Sequence, residues 1–270
     1  MKQNRASWRP NLLILTVGLV VACAGGARDA LAQSAPTDRI LVRLDGGWRP
    51  ASRTFASTQF FTLFSERGNF QADYKIQGGG IMDGGLSFLL WRYLAVGLDV
   101  SNYTSTSSAN ITTAIPHPFF YDLPRNTTGV AGGLTRRELA VHFNTILVMN
   151  FTDWFVVSMS IGPSLINAKQ DLVTAIQHVD GPFPYDEIIF KGPTIGRRST
   201  STIGANAGIH LDTYVLHRLP WLNRYDAMEH VGFGLLFRYI RGSVDLRIDD
   251  TPLDVDLGGL QVTTGFRFRF

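Results

Sequence analysis

The chain has little charge, one cysteine and no long apolar run. Charged residues make up 17% of its 270 residues, below the roughly 25% of an average soluble protein. The single Cys23 excludes a disulfide framework and a multi-cysteine zinc site. The apolar run Leu12 to Ala22 covers about eleven residues, too few for a helix to cross roughly 30 Å of hydrocarbon. What is present, 45% hydrophobic residues with 27 glycines and 18 phenylalanines, favours strands joined by turns.

The N-terminus has the pattern of a secretory signal peptide. Lys2, Arg5 and Arg9 precede the apolar run, and Ala30-Leu31-Ala32 resembles a cleavage site. We therefore expect a signal peptide over residues 1–32, a short N-terminal segment over 33–38 and the folded domain over 39–270. The alternative is a lipid on Cys23, because Val20-Val21-Ala22-Cys23 loosely matches a lipobox.

The formal charge of +3 comes from this leader. Removing residues 1–32 takes away four basic residues and one acidic residue, which leaves 21 of each sign. A nucleic-acid interface needs clustered lysine and arginine, and the remaining sequence has no such cluster. We expect no nucleic-acid partner.

Apolar and polar residues alternate along seven segments of the chain. In the last of them, Leu260, Val262, Thr264, Phe266, Phe268 and Phe270 alternate with Gln261, Thr263, Gly265, Arg267 and Arg269. The others lie at about 40–45, 94–101, 138–149, 155–162, 203–212 and 231–239. Successive side chains of a strand point to opposite faces, so each strand has one apolar and one polar face. This pattern is typical of a transmembrane barrel with lipid outside and a polar lumen inside.

Short and long connections also alternate along the chain. Trp91-Arg92-Tyr93 and residues 150–153 are short, whereas 104–134, 168–200 and 243–255 are long and polar. Outer-membrane barrels have short periplasmic turns and longer extracellular loops, which places both termini in the periplasm. The aromatic residues near that end form a candidate interface girdle: Trp91, Tyr93, Trp154, Phe155 and Trp221.

These patterns predict an all-β fold, a transmembrane antiparallel up-and-down β-barrel of eight strands. Counting 55–65 and 68–76 as further strands would give ten. Phe55 to Phe64 has aromatic residues on both faces, which suits a membrane strand poorly.

The charged residues of the inward faces predict a polar network that fills the lumen. An eight-stranded barrel has room only for its own side chains, and buried charges must be paired. The predicted members are Arg43, Asp45, Asp99, Glu138, His142, Asn144, His210, Asp212, Arg238, Arg267 and Arg269.

Two residue sets are candidates for a hydrolase site, His142 beside Ser158 or Ser160, and His210 beside Asp212. We favour histidines that are hydrogen-bonded within the network, and expect no catalytic residue, metal or cofactor. Aromatic residues of the long loops, such as Phe119 and Tyr185, either form an adhesive surface or pack together over the barrel mouth.

The ending Phe266-Arg267-Phe268-Arg269-Phe270 resembles the C-terminal signal read by the outer-membrane barrel-assembly machinery. With the strand pattern, the chain resembles the small outer-membrane β-barrel domain family of the OmpA and OmpX type. It is similar to a Gram-negative branch of that family in three stretches: Pro116 to Arg125, Gly162 to Val173, and Gly242 to Leu246. This branch implies no activity or ligand.

The resemblance implies a monomeric outer-membrane protein in contact with lipid and lipopolysaccharide. We expect a structural or surface-interaction role, with a small passive porin as the alternative and a lipid hydrolase as a weaker one.

Overall fold

The computed structural model describes residues 38–50, 53–216, 226–248 and 251–270. The proposed leader 1–32, Cys23 and Trp221 lie outside these ranges. Ten strands are present in the described residues: β1 Ile40–Arg49, β2 Arg53–Leu63, β3 Glu66–Ile76, β4 Gly79–Trp91, β5 Leu94–Ile115, β6 Arg125–Thr152, β7 Phe155–Asp180, β8 Ile188–Thr213, β9 Val231–Ile248 and β10 Thr251–Arg269. A one-turn 3-10 helix, Asp226–Glu229, precedes β9. No helix in the described part is long and apolar enough to cross a membrane.

Eight strands form a closed antiparallel ring in the order β1-β4-β5-β6-β7-β8-β9-β10. The ring closes where β1 pairs with β10, from Leu41 opposite Arg269 to Trp48 opposite Val262. Closure removes the unpaired sheet edges that would otherwise present free N–H and C=O groups. The prediction of an eight-stranded antiparallel β-barrel is confirmed.

The two segments that could have raised the count to ten are strands β2 and β3, but they do not enter the ring. They form a hairpin that follows β1 and leads into β4, and β3 pairs with the C-terminal part of β5, from Ser107 to Ala114. Ile76, at the end of β3, lies opposite Ser107, just beyond the point where Gly80 of β4 lies opposite Thr104. The hairpin therefore lengthens the barrel wall at one end.

The outward face of the ring is apolar over lengths that match a membrane. On β6 the outward residues run from Leu139 to Met149, and on β7 from Phe155 to Leu165, about eleven residues each. A tilted strand crosses a bilayer in about nine to eleven residues. Leu139 and Leu165 are each 49% exposed, an unfavourable arrangement in water and a favourable one against lipid.

The two ends of the barrel differ, as the connection lengths predicted. At the short-turn end, Arg92 and Tyr93 join β4 to β5, and Asp153 and Trp154 join β6 to β7. At the long-hairpin end, the polar stretches 104–134 and 168–200 consist largely of strand. Their turns are confined to residues 116–124 and 181–187. The connections that the sequence predicted to be long loops therefore continue the β-sheet.

A cluster of buried apolar residues lies inside the extension, which is the part of the barrel wall at the long-hairpin end. Its buried members are Phe70, Ala72, Tyr74, Ala109, Ile111, Ala131, Leu134, Leu172 and Val173. The Val173 backbone N–H donates to the Tyr74 hydroxyl at 2.8 Å, and burial raises the pKa of Tyr74 to about 12. Apolar side chains thus occupy the barrel mouth above the polar lumen.

The aromatic residues predicted for the girdle lie at the short-turn end where the structure describes them. Trp91 is 77% exposed, and Phe155 contacts both Phe151 and Trp154. Tyr93 is half-buried in the β4–β5 turn. Phe266 and Phe268 of β10 and the following Phe270 point outward, and Phe266 packs against Phe233 of β9.

Candidate functional site: the lumen and the hairpin tips

The centre of the lumen is Asp99 on β5, whose side chain is fully buried. It accepts hydrogen bonds from Arg43 of β1, from Arg238 Nη2 of β9 at 2.6 Å and from Asn144 Nδ2 of β6 at 2.5 Å. One carboxylate therefore connects β5 with β1, β6 and β9. Charge-assisted bonds of this kind are among the strongest in proteins.

Arg238 has a second carboxylate partner, Asp83 of β4, which is not among the predicted members of the network. Asp83, Gly85 and Ser87 are alternate residues of β4 and share its polar face. This alternation could have predicted that Asp83 points into the lumen. Gly85 makes room for the cluster, because a Cβ there would lie 2.0 Å from Asp99 Oδ1.

A second group of charges lies where the first and last strands pair. Arg267 of β10 donates from Nη1 to Asp45 Oδ1 and from Nε to Asp212 Oδ1, each at 2.6 Å. All three side chains are 2% exposed or less. The pairing of Arg43 with Arg267 in the β1–β10 register places these residues together.

Nearer the long-hairpin end, Glu138 of β6 lies between two arginines. Its Oε1 accepts from Arg136 Nε at 2.7 Å, and its Oε2 accepts from Arg49. The Arg49 guanidinium also stacks 3.9 Å from the centre of the Tyr103 ring. Neither arginine was predicted, although Arg49 has the same strand parity as Arg43 and Asp45.

The two lumen histidines are buried among serines and arginines. His142 contacts Ser101 Oγ at 3.0 Å and Ser164 Oγ at 2.8 Å, rather than the Ser158 or Ser160 considered from the sequence. His210 contacts Ser160 Oγ at 3.1 Å and also Arg43.

The described bonds do not join His210 to Asp212, because the Asp212 carboxylate accepts from Arg267. Within the described ranges, no group of three or more His, Cys, Asp or Glu residues could hold a metal ion.

Arg269 does not join the predicted lumen network. Its side chain lies at the short-turn end, 25% exposed, with Nε 3.2 Å from Asp38 Oδ2 and Nη2 donating to the Glu229 carbonyl at 3.0 Å. The strand parity was predicted correctly, but the position near the chain end places this residue at the rim. Counted back from the chain end, Arg267 is the first charged residue of β10 whose side chain lies in the lumen.

The hairpin tips form a second candidate site at the opposite end. The tips are defined here as residues 64–66, 116–125 and 181–187. Every non-glycine residue with positive φ in the described part of the chain lies in them: Phe64 at 52°, Ser65 at 63°, Asp122 at 59° and Tyr185 at 72°. Left-handed backbone at such residues costs roughly 1–3 kcal/mol each and is concentrated at functional sites.

Hydrogen bonds hold the three tips together. The buried Arg125 donates to Asp180 Oδ1 at 2.6 Å, to the Tyr185 carbonyl at 2.8 Å and to the Pro116 carbonyl at 2.9 Å. The Asp122 backbone N–H donates to Glu66 Oε1 at 3.1 Å, which adds the β2–β3 tip. The surface is therefore one connected unit.

Aromatic side chains both support and cover this surface. Phe119 and Phe183 both contact Tyr185. The ring centroid of Tyr185 lies 5.6 Å from that of Phe119 and 6.0 Å from that of Phe183. Phe119 is nevertheless 65% exposed, Phe183 78% and Tyr121 83%. The aromatic residues thus pack together, as one interpretation of the sequence predicted, and still present large apolar areas to solvent.

The solved structures to which this chain is similar include outer-membrane proteins. OprG from Pseudomonas aeruginosa is 9% identical, with 86% of this chain and 96% of that chain covered and a TM-score of 0.48. The protease OmpT from Escherichia coli is 10% identical, with 89% and 100% covered and a TM-score of 0.40.

Ail, the attachment invasion locus protein of Yersinia pestis, is 9% identical, with 85% and 99% covered and a TM-score of 0.36. Neither a protein-family model nor a curated protein sequence matches the chain. At these identities and scores the likeness carries no inference about activity, ligand or partner.

Proposed function

We propose that the protein is an integral outer-membrane β-barrel with a closed lumen, which presents the hairpin tips outside the cell as a binding surface. The observation that carries this proposal is the exposure of Phe119, Tyr121 and Phe183 on tips that are strained and held together by Arg125. Exposed aromatic patches on a rigid scaffold mark interaction sites, and aromatic residues are enriched at interface hot spots.

Membrane placement follows from the apolar outward face and its length of about eleven residues per strand. With short turns in the periplasm, the tips face the exterior. Export through a cleaved leader over 1–32, insertion by the barrel-assembly machinery, a monomeric state and contact with lipopolysaccharide belong to the same proposal.

The charge network supports a plugged lumen rather than a passive porin. Arg43, Arg238 and Arg267 are each at most 1% exposed and have carboxylate partners from other strands. Moving any of them aside to open a path would leave a buried charge without its partner.

The same burial argues against a lipid hydrolase. His142 and His210 are at most 1% exposed, and a general base must reach the group or water from which it takes a proton. The tips, which are exposed, carry the proposed function.

The membrane and lumen parts of the proposal are tested on the full-length protein expressed in a Gram-negative host. We expect it in the outer-membrane fraction, with faster gel migration before heating than after. Reconstituted in a planar bilayer, it should give no stable conductance step. Large, long-lived steps would contradict the plugged lumen, and recovery only from the soluble periplasmic fraction would contradict the membrane placement.

The binding role is tested with outer-membrane vesicles that contain the protein, applied to surfaces coated with fibronectin, collagen or heparin and to intact bacterial cells. Wild-type vesicles should be retained on at least one of these surfaces more than empty vesicles are. Replacing Phe119, Tyr121 and Phe183 together by serine should lower that retention by about tenfold or more, since interface hot spots contribute about 2 kcal/mol or more each.

Phe60→Ser is the matched control, because Phe60 is 53% exposed on β2 but lies outside the tips. Equal retention of wild-type and triple-variant vesicles on every surface would contradict a binding role for the tips.

A further inference from the structure

Two exposed cations face each other on the outside of the barrel, away from both the lumen and the tips. Arg137 of β6 lies directly opposite Lys169 of β7 in the strand register, and both side chains are exposed. Like charges in directly opposed positions destabilise a sheet. No carboxylate that the structure describes lies within ion-pair distance of either residue, and Asp171 is the carboxylate whose pKa the Arg137 charge helps to lower. The pair is therefore a local cost to the isolated protein.

The pair lies at the edge of the apolar outward face. On β6 the outward apolar run ends at Leu139, and Arg137 is the next outward residue. On β7 the run ends at Leu165, and Asn167 and Lys169 follow it. If the apolar stretches lie in the hydrocarbon layer, these two cations lie at the level of the lipid headgroups on the side of the long hairpins.

A third cation, Arg197 of β8, lies beside the pair. Asp171 lies opposite Arg197 and follows Lys169 by two residues on the same face of β7. The Asp171 carboxylate accepts from Arg197 Nε at 2.8 Å and from the Thr135 backbone N–H at 3.1 Å. The hydrogen bond from Arg197 is the main cause that lowers the pKa of Asp171.

Asp171 therefore stays ionised, balances one positive charge and fixes the Arg197 guanidinium in place. Arg197 is 67% exposed, and its Nη1 makes no hydrogen bond to any described residue. The cluster of Arg137, Lys169, Arg197 and Asp171 has a formal charge of +2.

Three outward cations lie together on the adjacent strands β6, β7 and β8, and Arg241 of β9, next to Tyr239 at the end of the apolar run of its strand, is a further exposed outward cation. On β5 the outward residues at this level are Asn102, Thr104 and Thr106, and on β8 the residues nearest the apolar run are Ser199 and Ser201. A continuous cationic belt would have placed a charge on β5 as well. The arrangement fits one localised anion.

We propose that Arg137, Lys169 and Arg197 bind a phosphate group on the headgroup of an outer-leaflet lipid. The inference rests on the membrane placement of the proposed function and does not depend on the tips. A phosphate between Arg137 and Lys169 converts their repulsion into two charge-assisted contacts, and arginine matches the geometry of phosphate oxygens. The phosphate could belong to a phosphorylated glycolipid such as lipid A or to a phospholipid.

The test uses the full-length protein folded in zwitterionic detergent, with diphosphoryl lipid A as the probe. Native mass spectrometry gives the bound fraction at increasing lipid concentration, and thermal unfolding gives the stabilisation by lipid. We expect the variant Arg137→Gln with Lys169→Gln to bind diphosphoryl lipid A at least tenfold more weakly than the wild type. The control variant, Lys75→Gln with Lys191→Gln, removes two exposed lysines elsewhere on the extension and should bind as the wild type does.

A merely structural role of the two cations predicts a different pattern. Without lipid, the Arg137→Gln, Lys169→Gln variant should unfold at the same temperature as the wild type or higher, because a repulsion has been removed. With lipid A, the wild type should gain more stability than the variant, and the gain should shrink as salt is raised. A variant that is destabilised without lipid and equally stabilised with it would overturn the proposal.

Further lipids distinguish the source of the phosphate. Equal binding of dephosphorylated lipid A would overturn the phosphate site, because acyl chains alone would explain the affinity. Phosphatidylglycerol binding with the same dependence on Arg137 and Lys169 would support the site and assign it to a phospholipid.

Inorganic phosphate that stabilises the protein as much as lipid A does would overturn the assignment to a lipid. Failure of the proposed function would appear separately, as absence of the protein from the outer-membrane fraction.

Discussion

Replacing Asp99 by asparagine is the most direct test of the lumen network. Asp99 is fully buried and accepts from Arg43, Arg238 and Asn144. Asparagine keeps the volume and removes the charge. Arg238 would retain Asp83 as a partner, but Arg43 would lose its only carboxylate partner among the described residues.

The expected cost follows from the Arg43 guanidinium, which is left without a hydrogen-bonded carboxylate while Asp83 and Asp212 act on it only at longer range. Removing one partner of a buried ion pair costs about 3–5 kcal/mol, which lowers the ratio of folded to unfolded protein roughly a hundredfold to several thousandfold. Urea unfolding of the protein in phospholipid vesicles, followed by tryptophan fluorescence and by heat-dependent gel migration, measures this difference.

Asp73→Asn is the matched control, because Asp73 is exposed on β3 and its one partner among the described residues is Gln71 Nε2, which donates to it at 2.9 Å. Its effect should be within about 0.5 kcal/mol. The variant Arg43→Met, alone and combined with Asp99→Asn, completes a double-mutant cycle. The double variant should lose less free energy of unfolding than the two single variants lose together, because the second change removes the unpaired charge. Equal unfolding midpoints for Asp99→Asn and Asp73→Asn would refute the reasoning.

Two further predictions concern the chain end and the extension. Deleting Phe270 should reduce the folded, heat-modifiable fraction, because its carbonyl accepts from the Arg39 and Ile40 N–H groups and its N–H donates to the Ile40 carbonyl at 2.8 Å. Phe270→Ala keeps these backbone bonds, and unimpaired assembly of this variant would count against the C-terminal signal.

The lowered pKa of Asp171 predicts that its ion pair stabilises the fold above about pH 3.9, the ordinary aspartate value, and that this stabilisation disappears as the pH falls through the lowered value. Asp171→Asn should therefore be less stable than the wild type at pH 6 and equal to it at pH 2 in urea unfolding, whereas a constant difference at both pH values would contradict this account.

The inward and outward faces of the ring could be predicted from residue parity alone. Arg43, Asp45, Asp99 and Arg238 alternate with apolar neighbours, and each of them is buried in the barrel. Alternation is a local property, because every second side chain of a strand points to the same side whatever the strand pairs with. The same rule could have identified Asp83 and Arg49, which were missed because glycines interrupt the alternation around them.

The partners of these residues could not be predicted in the same way. Asp99 meets Arg43 across β4 and meets Arg238 across the lumen. Which charges meet depends on the register of every strand pair around the ring. Arg269 shows the limit of parity, since it has the parity of Arg267 but lies beyond the lumen at the rim.

The sequence by itself determined an all-β chain with one apolar and one polar face per strand, and with short turns at one end. These properties depend on composition and on a period of two residues, and any closed antiparallel ring would satisfy them. Only the tertiary structure decided that eight strands close the ring while β2 and β3 extend its wall, because hydrogen-bond pairing is a property of two segments together. It also decided that Arg125 joins the tips and that Arg137 lies opposite Lys169, since both depend on contacts between strands distant in sequence or on their register.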